Sequence, residues 1–348
     1  MRAALHLAAR SVTVDDVDDP QIQQPTDAVV RVLRSCVCGS DLWAYRGTFD
    51  RAPRSRMGHE FLGIIESIGA DVADLRVGDL VISPFNWADG SCPACAEGLY
   101  TSCDNAGYWA QPGSDGGQGE AVRVPWADAT LVAVPGGLAA VGDELLPALL
   151  TLSDVTATGL HGAIMAGVGQ GSTMAVVGDG AVGLCAVLTA RVVLGAERVI
   201  LLSRNPARQA IGRAFGATDI VAVRGEEALV AVRELTEGLG VPHVVEAVGT
   251  PDAWTTAIQI ARDGGQVGSV GVPHTTPTLD LGPVFGRNLG IRAGVCSARK
   301  YLPDLLRRVT SGELNPAAVF DLTLPLEAAS DAYVAMDART AVKVMLIP

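Results

Sequence analysis

The sequence predicts an α/β protein of two domains, one of them a doubly wound parallel sheet. Three observations carry this expectation. At 348 residues the chain is long for one hydrophobic core and suits two. Its middle part alternates β-branched runs with helical stretches at the spacing of βα units. At the head of that alternation, Thr173-Met174-Ala175-Val176-Val177 runs into Gly178-Asp179-Gly180-Ala181-Val182-Gly183, a glycine-rich turn between a buried strand and an apolar helix.

Composition narrows the function. With 49% hydrophobic residues, 18% charged residues and 40 glycines, the chain reads as a compact, turn-rich enzyme and not a disordered segment. A net charge of -12 and the lack of any Lys/Arg block exclude nucleic acid as the expected partner, since phosphate binding needs basic patches. The run from Val155 to Gly178 carries no formal charge and is long enough to span a bilayer. Because His161, Gln170, Ser172 and glycines interrupt it, it is read as buried in protein and not in membrane. The N-terminus meets His6 and Arg10 before any usable apolar stretch, so no signal peptide is expected and the protein is read as cytoplasmic. The seven cysteines include the cluster Cys92, Cys95 and Cys103, a pattern that points to metal before disulfides.

Taken in order, Ala28 to Leu33 is a β-branched strand feeding the Cys38 loop. Gly58-His59-Glu60-Phe61-Leu62-Gly63 then sets an imidazole and a carboxylate at the head of an apolar strand. With Cys38 upstream, a sulfur, a nitrogen and an oxygen can converge on one ion, which is a zinc donor set. Ser40 lies two residues after Cys38, close enough for its hydroxyl to reach an oxygen bound to that ion; it also suits a helix N-cap before Leu42. Phe85, Trp87 and Trp109 are candidates for the wall of a substrate pocket, or simple packing. Short strands follow at Ala121 to Val124 and Val132 to Pro135. Asp154 is flanked by apolar residues from Leu149 to Ala163, and a buried carboxylate needs a partner that a metal supplies. Its other role is to cap the helix bearing His161, which is assigned to packing.

The glycine-rich turn fits a dinucleotide: its glycines let the pyrophosphate approach the backbone, and the helix from Leu184 to Leu194 begins there, with Cys185 as a small core residue. Cofactor contacts are therefore expected at Gly178, Gly180, Ala181, Val182 and Gly183. NAD usually calls for Asp or Glu about 20 residues further on, at the end of the second strand. Here Arg198 to Leu202 ends in Ser203-Arg204-Asn205, and a serine hydroxyl beside a guanidinium suits a 2′-phosphate, so NADP is the expected cofactor. Arg208 assists it or lies on a solvated face, and Asp179 is an unexplained acid beside the phosphates. Further strands at Ile220 to Val223, His243 to Val248 and Gly265 to Gly271 alternate with helices, and Gly249 and Gly271, which end strands, place the nicotinamide half, with contacts expected at Val248 and Gly271. The dinucleotide domain spans residues 151–294. Residues 1–150 and 295–348 form the other, closing with helices at Leu302 to Ser311 and Leu326 to Asp337 and a strand at Ala341 to Ile347.

Gly58-His59-Glu60-x-x-Gly63-x5-Gly69-x-x-Val72, together with Cys38-Gly39-Ser40-Asp41, resembles the signature of the zinc-containing alcohol dehydrogenases of the medium-chain dehydrogenase/reductase superfamily, and the likeness runs from Ala3 to Ile347. The resemblance implies a GroES-like, mostly-β catalytic domain into which a Rossmann domain is inserted, with the active site in the cleft between them. It implies a catalytic zinc held by Cys38, His59 and Asp154, with Glu60 as a near or exchangeable fourth ligand. Asp41 would orient His59, or else be an exposed cap, and Ser40 would begin a proton relay. Trp43 stands where members carry a relay histidine, so it is expected to shape the pocket while the proton leaves through Ser40, cofactor hydroxyls or water. The family's structural-zinc lobe has four cysteines; its spacing lands on Asp89, Cys92, Cys95 and Cys103, an acceptable tetrahedral set unless the lobe is degenerate with free thiols.

The implied activity is reversible hydride transfer between an alcohol and NADP, on a small alcohol, aldehyde or ketone, in a homodimer or homotetramer. Three rivals stand beside it. One is an NAD-linked polyol, amino-alcohol or formaldehyde dehydrogenase of the same superfamily, whose formaldehyde-dehydrogenase-like branch the stretches Asp89 to Cys103 and Gly117 to Pro135 resemble. The second is a zinc-free quinone or enone reductase, whose members lack such ligands. The third is a non-catalytic nucleotide-binding protein that keeps the fold.

Overall fold

The computed structural model describes residues 1–273 and 279–348. The chain divides into two compact units, Met1–Ala157 with Ser297–Pro348, and Thr158–Cys296.

The first unit is mostly β. Its main sheet has seven strands and is organised around Ala28–Cys36, which pairs antiparallel with Phe61–Ile68, Ala121–Val124 and the C-terminal strand Lys343–Ile347. Alternation along the central strand turns Ala28, Val30 and Val32 inward against Phe61, Ile65, Val81, Val122 and Val124. Trp109 sits in the same core, 2% exposed, its ring 4.9 Å from Trp87 and its Nε1 donating to the Pro84 carbonyl. Trp87 and Trp109 are therefore packing residues; of the three aromatics considered for a pocket wall, only Phe85 lies beside a candidate ligand. A second core joins Leu42, Tyr45 and Met57 to Tyr333 and Met336 of the helix Ala329–Asp337.

The second unit holds a six-stranded, wholly parallel sheet in the spatial order Asp219–Val221, Arg198–Leu202, Thr173–Val177, Val241–Glu246, Ala261–Ser269, Gly290–Ala293. This is the doubly wound sheet expected. Its inner strands are apolar on both faces, as burial between helix layers requires, with Met174, Ala175, Val176, Val199, Ile200, Leu201, Val244 and Val245 fully buried. Several strands stop earlier than the sequence suggests, at Val221, Glu246 and Ser269, while the helix after the glycine turn begins sooner, at Ala181. The uncharged run from Val155 splits into the helix Val155–Met165 and the strand Thr173–Val177. Among the described residues no helix is long and apolar enough to cross a membrane.

Candidate active site

Cys38 follows the central strand, His59 and Glu60 precede the strand Phe61–Ile68, and Asp154 immediately precedes the helix Val155–Met165. Those elements bring one donor atom from each of Cys38, His59, Glu60 and Asp154 within 4.8 Å of one another. Asp154 Oδ2 lies 3.4 Å from His59 Nε2 and 3.7 Å from Cys38 Sγ. Tetrahedral zinc with ligand bonds of about 2.0 to 2.3 Å puts its donors roughly 3.3 to 3.8 Å apart, so the group is preshaped for that ion. Its charge fits too. Three acidic groups crowd one imidazole out of water, and Glu60 Oε2, fully buried, accepts no hydrogen bond.

The imidazole is oriented from behind. Asp41, buried at the start of the helix Asp41–Tyr45, places Oδ1 3.2 Å from His59 Nδ1 and accepts from the Cys38 N–H through Oδ2 at 3.0 Å. This leaves Nε2 directed at Asp154, the division of labour expected of a metal-binding histidine. Gln118 Nε2 donates to Asp41 Oδ2 and to the Cys36 carbonyl, and Tyr333 Oη donates to Gln118 Oε1 at 2.9 Å. Burial disfavours the charged imidazole, but the Asp41 carboxylate, with Cys38 and Asp154, outweighs it and holds His59 well above its ordinary pKa. Burial also pushes the Cys38 thiol up, aided by the charge of Glu60.

Beneath the cluster lies a residue that sequence reading passed over. Lys343 is 1% exposed, and its Nζ donates to Glu60 Oε1 at 2.6 Å and to the Val37 carbonyl at 3.3 Å. Glu60 thus faces an ammonium with one oxygen and the donor cluster with its carboxyl group. Burial lifts its pKa, and the Lys343 charge opposes that lift.

In the lobe, Asp89, Cys92, Cys95 and Cys103 also bring their donors within 4.8 Å. A short helix, Pro93–Ala96, begins at Cys92 and turns Cys95 inward. Asp89 is already engaged: Oδ1 accepts from the Ser91 and Cys92 N–H groups, and Oδ2 from Asn105 Nδ2 at 2.8 Å. The Asn105 amide and these backbone donors hold its carboxyl below the usual carboxylate range. The thiols diverge: backbone N–H groups of Cys95 and Asp104 lower Cys92, while burial and its neighbouring thiols push Cys95 up to about 12.

The glycine turn of the second unit is shaped as a cradle. A Cβ on Gly183 would lie 2.0 Å from the Gly178 carbonyl, so only glycine lets the helix close on the strand, whereas a Cβ on Gly180 would stand in open space, where a side chain would obstruct a phosphate. Gly178, at φ +122°, packs against Val248, and Gly271 closes on the Gly249 N–H. Glu246 ties this corner together by accepting from the Val248 and Gly249 N–H groups and from Ser269 Oγ. At the end of the second strand two of the expected cofactor residues meet an acid. Ser203 Oγ donates to Asp179 Oδ2 at 2.9 Å, and Arg208 is buried with Nη1 3.2 Å from the Asp179 carbonyl. Asp179 therefore turns toward both residues and not away. Arg204 is exposed.

Comparison with known proteins agrees with this geometry. Residues 24–136 match the family model described as alcohol dehydrogenase GroES-like domain, and residues 181–311 the one described as zinc-binding dehydrogenase. The zinc-type alcohol dehydrogenase B of Aspergillus flavus is 30% identical over 99% of this chain and 81% of its own length. The chain belongs to the zinc-containing alcohol dehydrogenase family of the medium-chain dehydrogenase/reductase superfamily. The solved alcohol dehydrogenase TADH from Thermus sp. ATN1 is 33% identical and superposes with a TM-score of 0.92, covering 100% of this chain and 99% of that one. The glutathione-independent formaldehyde dehydrogenase of Pseudomonas aeruginosa is 29% identical over 100% of this chain and 97% of its own length.

Within this zinc dehydrogenase, Ser40 occupies the cap position of its helix, yet its side chain makes no capping hydrogen bond. Trp43 carries the Arg46 guanidinium over its ring at 5.0 Å. Phe85 meets the His59 ring edge-on at 6.5 Å. Gln118 and Tyr333 had no signal in the sequence: each is a polar residue in an unremarkable stretch, and only the fold carries them to Asp41.

Proposed function

We propose that this chain catalyses reversible hydride transfer between an alcohol carbon and the nicotinamide of NADP, with a zinc ion at Cys38, His59 and Asp154 and Glu60 as an exchangeable donor. The observation that carries the reading is the convergence of those four side chains on one point out of water. Zinc held there supplies a Lewis acid that polarises the substrate oxygen and makes its hydroxyl proton easier to lose. The chain's own residues do the rest. Asp41 keeps the imidazole nitrogen of His59 aimed inward, and Phe85 gives the pocket an apolar wall. Ser40, whose hydroxyl makes no cap, takes the substrate proton onward. The lobe of Asp89, Cys92, Cys95 and Cys103 would hold a second, structural zinc.

For the cofactor, the cradle at Gly178, Gly180 and Gly183 supports a dinucleotide, and exposed Arg204 supports the 2′-phosphate of NADP. No disulfide joins any of the seven cysteines among the described residues, which supports a reducing, cytoplasmic setting. The strand Gly290–Ala293 pairs on one side alone among the described residues, beside exposed Leu281 and Phe285; this supports a homodimer or homotetramer. The likeness to a formaldehyde dehydrogenase keeps that substrate in view.

The test is a panel of primary, secondary and polyhydric alcohols with their aldehydes and ketones, each assayed with NAD and NADP, alongside Cys38→Ser and His59→Ala. Both variants are expected to abolish turnover while NADPH binding persists, because metal and nucleotide residues belong to different units. Equal loss of binding and turnover, or full activity in metal-depleted protein, refutes the proposal.

A further inference from the structure

At the end of the second strand of the parallel sheet, where a dinucleotide fold ordinarily stations an acid, this chain has Ser203. An acid is present there all the same. The strands Thr173–Val177 and Arg198–Leu202 run parallel with Val177 opposite Leu202, so the residues just beyond them share one end of the sheet. Asp179, from the glycine turn, reaches across to Ser203, whose Oγ donates to Asp179 Oδ2 at 2.9 Å. Arg208 fixes it from the other side, with Nη1 3.5 Å from Asp179 Oδ1 and 3.2 Å from the Asp179 carbonyl. Their side chains are 6% and 12% exposed for Arg208 and Asp179, so the pair is built in and does not drift in solvent. Gln209 Nε2 donates to the Ser203 carbonyl at 2.8 Å and Asn205 caps the following helix, which pins the whole corner.

We propose that Asp179 is the acceptor for the adenosine 2′-hydroxyl of NAD, delivered from the glycine turn instead of the second strand, and that it competes with Arg204, which attracts the 2′-phosphate of NADP. The proposal rests on the dinucleotide reading above and deepens it by naming what sets coenzyme choice. A carboxylate offers about four acceptor positions, enough for Ser203, Arg208 and one sugar hydroxyl. A 2′-phosphate in the same place brings about two further negative charges against Asp179. Arg208 cannot serve it fully, because its charge is already matched by Asp179, and Arg204 is an exposed cation directly after Ser203. The opposed pair makes the enzyme accept both coenzymes, Asp179 serving one and Arg204 the other.

The experiment is binding by calorimetry to the full chain, with AMP and adenosine 2′,5′-bisphosphate as probes, so that neither zinc nor turnover enters the readout. Asp179→Asn keeps the shape and removes the charge. It is expected to raise the preference for the bisphosphate over AMP by roughly tenfold to a hundredfold, the scale of one charge-assisted hydrogen bond, and Arg204→Ala to lower it by a similar factor. In the unaltered protein, NAD lacking the adenosine 2′-hydroxyl should bind roughly tenfold more weakly than NAD, which decides the matter should the Asp179 variant fail to fold. An unchanged preference in Asp179→Asn, or equal binding of NAD and its 2′-deoxy form, overturns the role of Asp179 and leaves the dinucleotide reading standing. Failure of every nucleotide to bind overturns both.

Discussion

Replacing Lys343 with Met should expose how the Glu60 carboxylate is kept in place. The ammonium and Glu60 are 1% and 0% exposed at the side chain and 2.6 Å apart, so neither finds water if the other is removed. Breaking such a buried pair costs about 3–5 kcal/mol, because the remaining charge is left uncompensated. For a unit of this size about 1 kcal/mol moves the melting temperature by roughly 2–4 °C, so Lys343→Met should lower it by roughly 6–20 °C. The assay is differential scanning calorimetry on metal-depleted protein, following the transition of the unit that carries both residues. Glu60→Gln in the same chain should recover much of the loss, since the unmatched charge has gone. Added zinc should also narrow the gap by giving Glu60 another cation. A melting point within about 2 °C of the parent, or a double variant no more stable than Lys343→Met alone, would show that the pair is not what holds Glu60.

Three other outcomes are expected. Asp41→Asn keeps a hydrogen-bonding group against His59 Nδ1 but removes its charge, so zinc affinity measured by competition with a chromophoric chelator should fall about 10–100-fold; unaltered affinity would count against the orienting role. Cys95→Ser removes an inward lobe thiol, and the zinc content by atomic emission should drop by one ion per chain while Cys38→Ser, His59→Ala strips the other; an unchanged content contradicts a metal in the lobe. His6 is buried, its Nδ1 lacks a hydrogen-bond partner, and burial together with the Arg51 charge lowers its pKa. The unfolded chain therefore takes the proton first, near pH 6.5, and stability present above that value declines as pH falls through it toward the folded pKa. His6→Leu should flatten the melting-temperature profile over that acidic window, and parallel profiles would refute the assignment.

What could be read from residues alone was whatever is local in the chain. The glycine turn is contiguous with the strand before it and the helix after it, so its chemistry and its fold share one short window. His59 and Glu60 are adjacent, and Cys92, Cys95 and Cys103 lie on one loop, so spacing carried their grouping. Lys343 is another matter. It meets Glu60 across 283 positions of sequence, through pairing of the C-terminal strand with the central strand at Met345 and Cys36. Nothing about a lysine in an apolar terminal run announces that register. Asp179 failed to yield its role for the same reason: its partner Ser203 is supplied by the register of a neighbouring strand, and a charge judged by sequence neighbours alone looks misplaced. Trp87 and Trp109 were drawn toward a pocket by their position beside the lobe, whereas in the fold they pack into the core behind the central strand.

The two cysteine-bearing groups hold their carboxylates under opposite conditions, and this separates what a metal would do in each. Glu60 is out of water with one oxygen on an ammonium and the other without a hydrogen bond, so its surroundings leave an unmet acceptor that a divalent ion would satisfy. Asp89 is half-buried and both its oxygens are satisfied by Ser91, Cys92 and Asn105, so its loop keeps its turn by hydrogen bonding alone. A carboxylate so engaged has less to offer an ion than a thiolate in the same place, and the binding energy of the lobe must fall mainly on Cys92, Cys95 and Cys103. The group of Cys38, His59, Glu60 and Asp154, by contrast, keeps an unmet acceptor out of water and gains more from a cation. Stability of the buried site and occupancy of the metal are therefore the same quantity there, while in the lobe they are separable.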